Sequence, residues 1–269
     1  MKRTQRFLTY KEVINSEFYM TPIKKQTFSH LKTSITIILV LLSINLTAQS
    51  WFGKTIKGNN EKTTITRTTS NYEKISVAGP FDINLVKGKE GKLTITIENN
   101  LVEYLVTEVK NGKLSIKWKK LYRIKPNAVV RITVPFNKIE AVSLAGSGSY
   151  NGTDKITAHD FDIELAGSGS IDLHISSQDV DCSMAGSGDI TLKGDSREFD
   201  CSKAGSGDLF GFDFKCENIE LEEVGSGDAE IYVTNNLQAS IAGSGNIYYK
   251  GNPAKNNIKV AGSGSAIMK

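Results

Sequence analysis

Residues 161–173 read FDIELAGSGSIDL, residues 180–192 read VDCSMAGSGDITL, and residues 199–211 read FDCSKAGSGDLFG. Ala-Gly-Ser-Gly starts at Ala145, Ala166, Ala185, Ala204, Ala242 and Ala261, and Val-Gly-Ser-Gly starts at Val224. The intervals are 21, 19, 19, 20, 18 and 19 residues. Repetition at a nearly fixed period means one supersecondary unit stacked on copies of itself.

Each unit approaches its corner with period-two alternation. Three places before the motif stand Val142, Ile163, Cys182, Cys201, Leu221, Ala239 and Ile258. One place before it stand Leu144, Leu165, Met184, Lys203, Glu223, Ile241 and Val260, with polar residues between. The alternation resumes after the corner at Ile171, Ile190, Leu209, Ala229 and Ile247. Period two is the signature of strands, so each coil is predicted to hold two short strands joined at a Gly-rich bend. Successive coils pair in parallel, ~4.8 Å apart. Lys203 and Glu223 break the inward pattern in neighbouring units. They mark a locally open stack or pair with each other.

Glycine reaches positive φ without steric cost and lets backbones approach closely. Gly146, Ser147, Gly148, Gly167, Ser168, Gly169, Gly186, Ser187, Gly188, Gly205, Ser206 and Gly207 are therefore assigned to structural corners. The serines form a column whose hydroxyls can bond each other or the turn backbone. A phosphate-binding glycine loop is the rival reading, but it needs a strand-to-helix context and occurs once. The leucine-rich horseshoe, of similar period, needs asparagine and leucine at other spacings.

Lys24, Lys25 and Lys32 precede an apolar run from Ile35 to Leu46, and Thr47-Ala48 supplies a small residue before Gln49. This is a secretory signal layout over residues 1–48, with Met20 an alternative start. It implies an exported chain resident in the periplasm, on the outer membrane or secreted. Residues 49–70, rich in Thr, Lys and Asn, read as a flexible linker or a frayed strand. Residues 71–140 read as an N-terminal β section that caps the solenoid of residues 141–269. Asn111-Gly112 within it is a hairpin signal, and Val77-Ala78-Gly79-Pro80 resembles a degenerate first motif. The last coil is expected to be covered by the chain folding back or by a second molecule, which makes a homo-oligomer through the C-terminal coil one expectation.

Residues 49–140 hold 17 Lys or Arg against 8 Asp or Glu, and residues 141–269 hold 9 against 19. The halves are thus oppositely charged. Spread among strands, these charges read as solvated faces, and no nucleic-acid recognition motif accompanies them. Cys182 and Cys201 occupy equivalent inward places in adjacent coils. Their parallel side chains would strain a disulfide, so buried thiols are favoured and a bond is the alternative.

Three stretches carry a family resemblance. They are Gly79-Pro80-Phe81-Asp82, the run ENNLVEYLVTEVKNGKLSIKWKK from Glu98, and VVRITVPFNKIEAVSLAGSGS from Val129. With the GSGS and GSGD corners they resemble the GIN domain family, described as the head of autotransporter adhesins, over roughly residues 72–269. The resemblance implies a right-handed single-stranded parallel β-helix, export in bacteria and a role in cell adhesion. It supplies no catalytic residues, and no cofactor is implied.

Two acidic columns flank the corner. Asp162, Asp181, Asp200 and Glu220 stand four places before the motif, and Asp189, Asp208 and Asp228 stand four after its first residue. Water and salt screen them, or they hold Ca²⁺ or a cationic ligand between coils through hard oxygen ligands. His159 and His174 lie far from any nucleophile in sequence. The leading expectation is non-catalytic binding of a cell-surface or extracellular glycan or protein. A carbohydrate-active β-helix enzyme and a periplasmic envelope protein are the alternatives.

Overall fold

The computed structural model describes residues 54–269. The expected signal lies outside these residues. The N-terminal section comprises β1 (Lys54–Lys57), β2 (Lys62–Thr68), β3 (Lys74–Ala78), β4 (Phe81–Lys87), β5 (Lys92–Glu98), a 3-10 helix (Asn99–Tyr104), β6 (Leu105–Lys110), β7 (Lys113–Trp118), β8 (Tyr122–Lys125) and β9 (Val130–Phe136). The repeats form β10 (Ala141–Gly146), β11 (Ser149–Thr157), β12 (Asp160–Gly167), β13 (Ser170–Gly186), β14 (Asp189–Gly205), β15 (Leu209–Gly225), β16 (Ala229–Gly243), β17 (Asn246–Lys250), β18 (Lys255–Gly262) and β19 (Ser265–Met268).

These strands build a parallel β-solenoid of about 7 turns, with stacked coils about 19 residues apart. One leg stacks β3, β10, β12, the later halves of β13 to β16, and β18. The other stacks β4, β11, the earlier halves of β13 to β16, β17 and β19. Register follows the motif, since Ala166, Ala185, Ala204 and Val224 pair in succession. The degenerate first motif holds its place too: Ala78 pairs with Ala145, and Gly79 has φ +139°.

The core lies between the legs. Phe161, Ile163 and Leu165 of one leg face inward with Ile171, Leu173 and Ile175 of the other, all buried. Burying each such side chain contributes about 1.5–3 kcal/mol. Phe199 and Phe214 meet edge to face across the interior, with ring centroids 5.5 Å apart.

The coils differ from expectation at their second bend. β13, β14 and β15 each run 17 residues without a break, because the bend keeps its ladder. The hydroxyl of buried Ser177 shares its one proton between the carbonyls of His159 (2.8 Å) and Asp179 (3.0 Å), and that of buried Ser196 between those of Gln178 (3.0 Å) and Glu198 (2.6 Å). The His159 carbonyl also accepts the N–H groups of Gln178 (2.9 Å) and Asp179 (3.0 Å), so backbone and hydroxyl together tie the bend to the preceding coil.

The linker assignment for residues 49–70 is corrected over its described part. β1 pairs with β8, and β2 pairs antiparallel with β5 from Lys62↔Glu98 to Thr68↔Lys92. The Arg67 guanidinium donates to the carbonyls of Leu105 (2.6 Å) and Val102 (2.7 Å). Threonine-rich sequence suits a half-exposed strand as well as a tether, and only tertiary pairing separates the two. Buried Glu98 clasps this corner by accepting the N–H groups of Asn60 (2.6 Å), Asn127 (2.9 Å) and Ala128 (3.3 Å).

The N-terminal section covers the first coil. β7 pairs parallel to β3, and β9 pairs parallel to β4. β5 continues antiparallel from β9, and β6 continues antiparallel from β7 through the Asn111-Gly112 turn, where both φ values are positive (50° and 71°). At the other end the chain does not fold back over the last coil. Val260, Ile267 and Met268 there are exposed by 46%, 39% and 55%.

Candidate functional site on the outer face of the solenoid

The corner places everything around it. The N–H groups of Ser168, Ser187, Ser206, Ser226, Ser244 and Ser263 each donate to the first glycine carbonyl of the preceding corner, at 2.8–3.0 Å. This backbone ladder carries the stack, while the serine side chains line up exposed. Gly205 has φ +130°. At Gly207 an added Cβ would collide with the Gly188 carbonyl oxygen, so close approach is what requires glycine there.

The structure brings both predicted acidic columns into register. Asp162, Asp181, Asp200 and Glu220 pair in succession on the leg before the corner. Partial desolvation, then the charges of Glu220, Asp181, Glu198 and Asp179, push the Asp200 carboxyl up to about 6. Asp181 is raised by desolvation and then by Asp162, Asp179 and Asp160. Glu220 accepts a hydrogen bond from the Gln238 side chain at 2.8 Å.

The second column has a role that sequence reading missed. Asp189 Oδ1 accepts the N–H of Asp208 (2.9 Å), Asp208 Oδ1 that of Asp228 (2.7 Å), and Asp228 Oδ1 that of Asn246 (2.8 Å). Each carboxylate caps a backbone donor of the next coil, a charge-assisted bond stronger than its neutral counterpart. The signal was present as an acidic residue at a fixed offset from each corner. Its target, one coil further on, becomes visible only in register.

Calcium needs about six to eight oxygens around one point. Among the described residues, three potential ligand atoms come within 4.8 Å of one another only at His159, Asp160 and Asp179. That group belongs to neither column. His159 Nδ1 lies 2.7 Å from Asp160 Oδ1, and the Arg197 guanidinium stands 3.6 Å from Asp179 Oδ1.

Lys203 and Glu223 pair inside the core at 2.9 Å, with side chains 2% and 1% exposed. Burial raises the Glu223 pKa, and the hydrogen bond and charge of Lys203 act against that rise. Glu223 Oε2 has no hydrogen-bond partner among the described residues. Both side chains occupy space left by missing Cβ atoms, under Gly227 and Gly245 respectively. Cys182, Cys201 and Cys216 are buried free thiols, and Cys182 pairs in register with Cys201.

A groove of ≈ 790 Å³ lies in the N-terminal section beside Tyr72, Glu73, Lys87, Lys89, Glu90 and Lys138. Both Glu90 carboxylate oxygens there accept backbone N–H groups, from Asn137 (3.0 Å) and Tyr72 (3.1 Å). They therefore hold the wall of the groove.

Solved structures share this architecture. A Bacteroides fragilis protein described as a "putative adhesin" superposes with a TM-score of 0.73 at 22% identity, covering 80% of this chain and 100% of its own. A Parabacteroides distasonis protein described as a "putative lipid binding protein" gives 0.68 at 28% identity, with the same coverage of each chain. A second P. distasonis protein, described as a "putative adhesin", gives 0.67 at 24% identity, again covering 80% and 100%. No curated protein matches. A family model described as "Putative auto-transporter adhesin, head GIN domain" matches residues 71–253, and the chain belongs to that family.

Proposed function

We propose that this protein is an exported, non-catalytic binding head whose solenoid presents its outer face to an extracellular glycan or protein, with cell attachment as the biological role. One observation carries the reading. The outer side chains repeat coil after coil on a hydrogen-bonded scaffold, which offers an extended ligand many equivalent contacts. The family description supports attachment, and both oxygens of the Glu90 carboxylate in the N-terminal groove are engaged by backbone N–H groups.

The test joins location to binding. Protease added to intact cells is expected to remove the domain, and the protein is expected to bind at least one member of a glycan and matrix-protein array. Full protection on intact cells, released only by opening the outer membrane, would contradict surface attachment and favour a periplasmic envelope role. Turnover of a polysaccharide on the array would contradict the non-catalytic reading.

A further inference from the structure

Nine aromatic residues lie between 141 and 269, and Tyr150, Phe161, Phe199 and Phe214 are buried. The other five, Phe210, Phe212, Tyr232, Tyr248 and Tyr249, all fall on the leg after the corner, in three successive coils. Tyr249 packs against the core. The remaining four stand on the outside, where β15 departs from regular pairing between Gly211 and Lys215 and carries Phe212 out of the ladder. Phe210 is 40% exposed.

Register arranges them as two adjacent columns along the solenoid axis. One runs Phe210, Glu230, Tyr248, and the other runs Lys215, Tyr232, Lys250. Phe210 and Tyr248 are two coils apart, or ~9.6 Å. Lysines lie over three of the rings: Lys250 over Phe212 (4.1 Å to the centroid), Lys269 over Tyr248 (4.5 Å) and Lys215 over Tyr232 (5.7 Å). None of these lysines has a carboxylate within 4.0 Å among the described residues. Their ammonium groups rest only on aromatic faces, an exposed contact that an anion easily outcompetes.

We infer that this strip binds an acidic polysaccharide lying along the solenoid axis. Flat aromatic faces stack on the C–H faces of pyranose rings. Two coils match the disaccharide repeat of an extended chain. The lysines meet carboxylate or sulfate substituents, and the Glu230 carboxylate accepts from sugar hydroxyls. The same Glu230 argues against a membrane surface, because inserting the rings would bury that charge between them. The inference rests on the binding-head reading and names its site and ligand class.

The test measures affinity of the protein for polygalacturonate and for dextran sulfate at low salt, with unmodified dextran as reference. Binding to at least one acidic polymer is expected. Phe210→Ala/Tyr248→Ala, which changes no charge, is expected to weaken it at least tenfold, with melting temperature unchanged. Lys215→Gln/Lys250→Gln gives an independent second variant with the same expected loss. Affinity of both variants equal to that of the unsubstituted protein, or no binding to either acidic polymer, would overturn the inference. So would binding to vesicles containing phosphatidylglycerol in preference to both polymers. An array ligand whose binding ignores all four substitutions would sink the strip while leaving the binding-head reading standing.

Discussion

Lys203 and Glu223 are the residues at which the repeat departs from its own rule. Their sequence position showed a broken inward pattern in adjacent coils, and the structure resolves it as a buried ion pair. Removing one partner leaves an uncompensated charge. Lys203→Met is expected to cost about 3–5 kcal/mol in urea unfolding, whereas Lys203→Met/Glu223→Leu is expected to be near neutral or stabilising. A single substitution without cost would show that water reaches the pair. Asp200 behaves differently. Its folded pKa of about 6 lies above the ordinary 3.8, so the native state holds the proton more tightly. Stability from this group is therefore present at low pH and falls as pH rises from about 4 to 6. Asp200→Asn is expected to raise the melting temperature at pH 7 and flatten the profile across that window. Because the side chain is exposed and screened, the gain is on the order of 1 kcal/mol or less.

At the scale of the element, the corner is the unit that repeats. Gly207 has its neighbour's carbonyl where a Cβ would sit. Gly207→Ala is expected to destabilise by about 2–3 kcal/mol, while Ser206→Ala, at the exposed apex, should be close to neutral. Equal effects would mean that the hydroxyl, not the close approach, holds the bend. The corner and the inward residues were legible from sequence because both recur at fixed offsets. The second bend was not, since Ser177 and Ser196 are followed in the stack by Cys216 and then Val233, which obscures the pattern. β2 was misread for a related reason. Its partner β5 lies about 30 residues away in an antiparallel pairing that no repeat announces. The aromatic strip escaped notice because neither of its offsets is aromatic in every coil: six places after the motif start stand Phe210, Glu230 and Tyr248, and eight places after it stand Phe212, Tyr232 and Lys250.

At the scale of the whole molecule, the acidic columns, the aspartate ladder and the aromatic strip all depend on coils stacking one residue over its equivalent. That registry can be measured as a ruler. Spin labels are placed at Ser263 and, in turn, at Ser147, Ser168 and Ser187, with Cys182, Cys201 and Cys216 replaced by alanine. Six, five and four coils separate the pairs, which gives distances of ~29, ~24 and ~19 Å. Narrow distance distributions shortening by one strand spacing per step are the result predicted here. Distances that fail to shorten with each step would contradict the stack, and the outer columns with it.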